Sequence, residues 1–106
     1  MDEFGRSDIF YTIVDNDYDS FLRELSRLKN INIVDINACS LLHFCAEYSR
    51  LNFAERLLER KIDLELKDKH GNTALWTATF NARGNYELLK LLLEHEANPY
   101  SKNNVN

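Results

Sequence analysis

Side chains that commonly do chemistry are present in this chain of 106 residues, but their spacing forms no familiar site. Two zinc ligands on one helix are typically three or four positions apart. His43, His70 and His95 are separated by much more than that. Asp63 and Glu65 are close in sequence, but acid–base catalysis would also need a cleft around them. No glycine-rich phosphate loop, His-Glu-x-x-His or Gly-x-Ser-x-Gly motif is present. The sequence predicts no catalytic residue, no metal and no cofactor.

A second feature, an internal repeat, carries more information. Segment 35–46 aligns with 68–79 at an offset of 33 residues, and 57–63 aligns with 92–98 at an offset of 35. Asp35 thereby matches Asp68, and Leu42 matches Leu75. The change of offset requires a two-residue insertion within 80–85. A fixed period of this length predicts stacked supersecondary units that bury their apolar faces against one another.

The repeated unit resembles the ankyrin repeat, whose motif runs Asp-x-x-Gly-x-Thr-Pro-Leu-His-x-Ala and continues into a second helix carrying Leu-Leu. The matching residues are Asp68, Gly71, Thr73, Leu75 and Ala78 in one unit and Asp35, Leu42, His43 and Ala46 in the other. The departures are Leu41 and Ala74 for Pro, Ala38 for the turn Gly, Trp76 for His, and Lys61 and Glu96 for the Gly after the second helix. Without those glycines a left-handed helix end is less favourable, but the architecture is unaffected.

Segment 71–84 is also similar to a bacterial ankyrin subgroup in which Phe-Asn-x-Arg-Gly extends the loop between the two helices. Insertions in repeat proteins lie in loops on one face, which is often the face that binds.

The resemblance implies an all-α solenoid of about three helix pairs linked by β-turn arms, with an unfinished fourth repeat at the C-terminus. Apolar spacing and capping residues predict helices at 8–16, 19–28, 41–48, 51–60, 74–81 and 86–95. We expect a single domain over 1–106, with repeats at approximately 5–34, 35–67 and 68–102, and 103–106 beginning a further repeat. The unfinished unit favours a chain that continues; a short natural cap is the alternative.

Charge is distributed unevenly along the chain. The net charge is −4, and residues 1–25 carry seven acidic and two basic side chains, so the remainder is nearly neutral. Without a basic stripe we expect no nucleic-acid binding. The acidic end is compatible with a basic protein partner, or it only keeps the first repeat soluble.

The sequence offers no sign of export or membrane insertion. No apolar stretch approaches the length of a membrane span, and residues 1–6 lack the order of a secretory signal. Cys39 and Cys45 form no Cys-x-x-Cys pair; we expect Cys45 in the core and Cys39 on a turn, at least half-exposed. The predicted location is the cytoplasm.

In the ankyrin family the turn tips and first helices line a concave face, and the resemblance implies that a partner protein binds there. The candidate binding residues are Asn37, Glu47, Tyr48, Lys69, His70, Asn72, Phe80, Asn81 and Arg83. Phe80 is either an exposed contact residue or is folded under the inserted loop. We expect Trp76 to pack between repeats rather than contact a partner, and His43 to tie the turn backbone together.

These observations predict a non-enzymatic module that binds another protein through its concave face. The similarity to the bacterial subgroup suggests a cytosolic immunity or inhibitor protein that neutralises a toxin or effector, and the acidic first repeat would suit a basic one. The alternative is a targeting or scaffold domain of a larger protein whose remainder is missing. Enzymes are among the larger proteins that this alternative covers.

Overall fold

The polypeptide folds into six short helices that follow one another as three pairs. The computed structural model describes residues 2–82 and 86–103. The helices are α1 (Asp8–Val14), α2 (Tyr18–Arg27), α3 (Leu41–Tyr48), α4 (Leu51–Glu59), α5 (Ala74–Phe80) and α6 (Glu87–Glu94). No strand occurs in these ranges, where Val34 and Ser40 form an isolated bridge. The all-α prediction is confirmed, and the predicted helix bounds are correct to within two residues.

The helices form two layers. In one layer, α3 packs between α1 and α5, the first helices of the flanking pairs. In the other, α4 contacts α6, and the rings of Phe21 on α2 and Phe53 on α4 lie 4.7 Å apart between centroids. Because each pair buries its apolar faces against the next, the core runs continuously along the stack.

The first helices of the second and third pairs, α3 and α5, begin at residues whose side chains cap free backbone N–H groups, whereas Ser7 before α1 makes no such bond. The Ser40 hydroxyl accepts a hydrogen bond from His43 N at 3.2 Å, and the Ser40 N–H donates to His43 Nδ1 at 3.1 Å. In the next unit, Thr73 Oγ1 accepts from Trp76 N at 3.4 Å. Both predicted caps are therefore present, which explains why α3 and α5 start at equivalent positions.

The second helices α4 and α6 are followed by a residue in the left-handed conformation although glycine is absent. Lys61 and Glu96 have φ angles of 60° and 69°, and Ala38 adopts 61° in the turn of the second unit. A residue with a Cβ pays about 1–2 kcal/mol for this conformation. The packing of the stack therefore imposes the ankyrin backbone on residues that do not favour it.

Each turn is organised by one aspartate. Asp2, Asp35 and Asp68 are spaced by 33 residues, and the Oδ1 atom of each accepts from the backbone N–H groups two and four residues later, at 2.9 and 3.0 Å. Successive turns are joined by Ile36 N donating to Phe4 O at 2.8 Å and Lys69 N donating to Asn37 O at 2.9 Å. The first turn thus starts at Asp2, three residues before the predicted start of the first repeat.

Two arginines connect consecutive units by donating to backbone carbonyl groups at the ends of helices in the first unit. Arg50 donates to Ile13 O and Val14 O at 2.8 and 3.0 Å, at the end of α1. Arg60 donates to Leu25 O and Leu28 O at 2.9 and 3.0 Å, at the end of α2. These contacts fix the second unit against the first.

Candidate protein-binding face

His43 has a structural role, as predicted. Its Nδ1 atom lies 2.8 Å from Ser40 Oγ, and its Nε2 atom lies 2.8 Å from the carbonyl oxygen of Asn72 in the following turn. The imidazole is buried and both of its nitrogens are engaged. It therefore joins the second and third turns, and it is unsuited to binding a ligand or transferring a proton.

The cysteines have the surroundings of unreactive thiols. Cys45 is buried in the core and Cys39 is half-buried on its turn, as expected. The pKa of Cys39 is raised to about 11, mainly by burial and then by the negative charges of Asp35 and Asp68. A thiol with such a pKa is a poor nucleophile at neutral pH. Residues 2–82 and 86–103 contain no group of three His, Cys, Asp or Glu side chains that would hold a metal ion.

Three aromatic side chains remain exposed on the first helices. Phe80 is 73% exposed, Trp76 42% and Tyr48 40%. The Trp76 and Phe80 rings are stacked, with centroids 5.2 Å apart and planes inclined by 8°. The alternative of an exposed Phe80 is therefore the correct one. Trp76 is more than half buried and also lines a cavity with Asn98 and Pro99, which follow α6, so its packing between repeats stays a prediction.

An open groove of about 410 Å³ lies beside this aromatic pair. Its lining comes from the third turn, from α3, from α5 and its C-terminal end, and from one residue after α6: Glu47, Asp68, His70, Asn72, Trp76, Thr77, Phe80, Asn81 and Asn103. Asn81 Nδ2 donates to Glu47 Oε2 at 3.2 Å, which links α5 to α3 at the rim. We call this feature the turn groove.

Asn72 differs from the other candidate residues. It was expected on an exposed turn tip, but it is only 7% exposed. Its carbonyl accepts hydrogen bonds from Asp68 N and from His43, so its backbone is needed inside the fold. The Oδ1 atom of its side chain is buried, and no group in the described part of the chain donates a hydrogen bond to it. A buried acceptor in this state costs free energy until a donor reaches it.

The structure brings together five of the nine candidate residues in the turn groove. These are Glu47, His70, Asn72, Phe80 and Asn81. Tyr48, which is exposed, lies outside the lining, with the Arg50 guanidinium 6.0 Å from its ring centroid. Asn37 is half-buried and Lys69 is exposed on their turns, and Arg83 falls outside the described residues.

Asp68 and Trp76 belong to the groove but were not among the candidates. Asp68 was assigned only to the repeat motif, although the carboxylate of a turn aspartate has a second oxygen free for other contacts. Trp76 precedes Phe80 by four residues on one helix, a spacing that places two side chains on the same face. This signal was present in the sequence.

The charges around Cys39, on the second turn, are mainly negative. The pKa of Cys39 is raised by the charges of three carboxylates, Asp35, Asp68 and Glu47. The charge of Arg6 lowers it. The Arg6 guanidinium is itself paired with Asp35, at 3.0 Å between Nε and Oδ2. At the Cys39 sulfur, the negative charges of Asp35, Asp68 and Glu47 together outweigh the positive charge of Arg6.

No helix in the described ranges is long and apolar enough to cross a membrane.

Comparisons with known proteins agree with this architecture. A family model described as "Ankyrin repeats (3 copies)" matches residues 9–103. The chain is 36% identical over 72 residues to an ankyrin repeat domain-containing protein of monkeypox virus, covering 68% of this chain and 11% of that protein. It is 32% identical over 104 residues to the human transient receptor potential cation channel subfamily A member 1, covering 97% of this chain and 9% of the channel.

A further relative is ankyrin repeat protein 14 of vaccinia virus, 36% identical over 72 residues, covering 68% of this chain and 30% of that protein. The chain thus spans between 9% and 30% of the length of these three relatives. Ankyrin repeat domains are generally non-catalytic modules for protein interaction. With three repeats matched along most of its length and six helices in the expected order, the chain belongs to the ankyrin repeat family.

Proposed function

We propose that this protein is a non-enzymatic interaction module that binds a partner protein through its turns and first helices. The observation that carries the proposal is the exposure of the stacked Trp76–Phe80 pair on that face. An aromatic side chain is more stable buried than exposed to water, and aromatic residues contribute much of the binding energy at protein interfaces. A partner that covers this pair recovers that energy.

The rigidity of the face supports the same proposal. The turns are cross-linked by backbone hydrogen bonds and by His43, and Asn81 is bonded to Glu47 between α5 and α3. A surface that is already ordered loses little conformational entropy when a partner binds. The proposed binding residues are Asn37, Glu47, Tyr48, Lys69, His70, Phe80, Asn81 and Arg83, with Asn72 contributing from the interior of the groove.

A narrower form of the proposal assigns the module to the bacterial cytoplasm, as an immunity or inhibitor protein that covers the active surface of a basic toxin or effector. Its support is the excess of acidic side chains in residues 1–25, most of them exposed. Basic partners associate faster with such a surface.

The second candidate is a scaffold or targeting domain within a larger protein. It is favoured by the small fraction of each relative's length that this chain spans. Sequencing the complete reading frame separates the two candidates: a frame that ends within one or two further repeats supports the stand-alone binder, and a long continuation of different composition supports the larger protein.

The test of the proposed face starts from a partner captured with this chain as bait in an extract of its native host. In calorimetric titrations with that partner, we expect Phe80→Ala and Tyr48→Ala each to weaken binding by about 2 kcal/mol, because interface energy concentrates in aromatic anchors. Since both side chains are exposed, thermal melting should change little.

The matched controls lie on the second helices. Charge reversal of Glu55 on α4 or of Lys90 on α6 should leave the affinity nearly unchanged. If these variants lose binding while the Phe80 and Tyr48 variants retain it, the partner binds the opposite side and the proposal is wrong.

A further inference from the structure

The turn groove presents an unusual concentration of hydrogen-bond acceptors. Glu47 and Asp68 line it with carboxylates, and the buried Oδ1 atom of Asn72 has no donor among the described residues. Asp68 Oδ1 already accepts from His70 N and Asn72 N, at 2.9 and 3.0 Å, so its other oxygen is the one available for a ligand. A ligand that matches this lining must donate several hydrogen bonds and carry positive charge.

The aromatic wall of the groove adds a second requirement. Trp76 and Phe80 are stacked nearly in parallel, and Phe80 has most of its surface in solvent. The face of an aromatic ring attracts a cation, and a planar guanidinium stacks on it with little loss of hydration. A flat cation therefore fits this wall better than a compact ammonium group does.

The chain itself shows how such a cation is bound one unit earlier. Arg6 donates from Nε to Asp35 Oδ2 at 3.0 Å, and its guanidinium carbon lies 5.0, 5.9 and 5.2 Å from the ring centroids of Phe4, Tyr11 and Phe44. Asp35 and Asp68 are equivalent turn aspartates, separated by 33 residues. The position equivalent to Arg6 in the second unit is Cys39, which supplies no cation to Asp68.

We infer that the turn groove binds an arginine side chain of the partner protein, which pairs with Glu47 and Asp68, stacks against the Trp76–Phe80 pair and donates to Asn72. The inference rests on the proposed function, since it names the chemistry of the partner at that face. His70 also lines the groove. Like Arg6 at the second turn, the partner's arginine would pair with a turn aspartate and lie against aromatic rings.

The single tryptophan of the chain lies in this groove, so its fluorescence reports binding directly. The probes are three short peptides that alternate glycine with arginine, with lysine or with citrulline, which keeps the shape of arginine without its charge. We expect a saturable change in Trp76 fluorescence with the arginine peptide, a weaker response with lysine and none with citrulline.

Two isosteric variants and one control locate the site. Glu47→Gln keeps an oxygen that accepts from Asn81, and Asp68→Asn keeps one that accepts from the turn, but both variants remove the negative charge. Each should lower the affinity for the arginine peptide about three- to tenfold. Glu55→Gln, on α4, removes the same charge away from the groove and should have no effect.

Equal binding of the arginine and lysine peptides, a response to citrulline, no response to any peptide, or an affinity unchanged by Glu47→Gln and Asp68→Asn would each overturn the inference. These outcomes are separable from failure of the proposed function. A partner whose affinity falls with Phe80→Ala, but which binds normally to both isosteric variants, uses the face without placing an arginine in the groove.

Discussion

Leu42→Ala is expected to reduce the free energy of unfolding by about 2–5 kcal/mol, since it removes a large side chain from a buried site and leaves a cavity. Leu42 is buried on α3, the helix that packs against both α1 and α5. Leu75 occupies the equivalent position on α5, and we expect Leu75→Ala to have an effect in the same range. In a stack of three units either loss is a large fraction of the total stability.

The measurement is urea unfolding followed by circular dichroism, with thermal melting as a second readout. A loss of about 2 kcal/mol corresponds to a fall of at least about 8 °C in Tm for a domain of this size. Leu22→Ala on α2 is the matched control, because this leucine is 38% exposed and its truncation should cost less than that of the buried Leu42, about 1 kcal/mol. If the Leu42→Ala variant has the same Tm as the Leu22→Ala control, the alignment of the repeats is incorrect.

Asp35→Ala should be the most damaging change in the turns, at about 2–4 kcal/mol. The Asp35 side chain is fully buried, accepts from Asn37 N and Cys39 N, and pairs with Arg6. Alanine leaves two N–H groups without their acceptor and a partly buried guanidinium without its counter-ion.

Asp35→Asn separates the two contributions, because an amide oxygen still accepts from the turn while the ion pair with Arg6 is lost. We expect it to cost less than Asp35→Ala, on the order of 1–2 kcal/mol. Asp8→Ala, in the exposed first turn of α1, should cost only about 0.5 kcal/mol. Chemical denaturation of all three variants makes the comparison; equal stabilities of Asp35→Ala and Asp8→Ala would show that Asp35 does not organise the turn.

The fold was largely predictable because the repeat fixes both the period and the helix starts. Ser40 and Thr73 are caps at equivalent positions, so the bounds of α3 and α5 followed from local sequence. The first turn was missed, since its sequence match to the other turns is limited to Asp2 and Gly5 of the Asp-x-x-Gly pattern. A short polar segment carries little periodicity, and its register is set by hydrogen bonds to the next turn.

The candidate site was harder to predict, because repeat position indicates which face a residue occupies but not how deeply it is buried. Asn72 was placed on the correct turn, yet its carbonyl is drawn inward by His43, which buries its side chain as well. Trp76 was expected to pack between repeats, but the neighbouring Phe80 offers it a stacking partner on its own helix. The first contact joins a side chain to a backbone carbonyl and the second joins two side chains of one helix, and repeat position alone specifies the depth of burial in neither case.

The central claim is that a partner protein binds the turns and first helices, and amide chemical-shift mapping of the complex tests it most directly. The account predicts that the largest shifts on adding the partner fall in residues 35–39, 47–48, 68–72 and 76–81, with α2, α4 and α6 nearly unchanged. Shifts concentrated on α2, α4 and α6, with the turns and the Trp76–Phe80 pair unaffected, would contradict it.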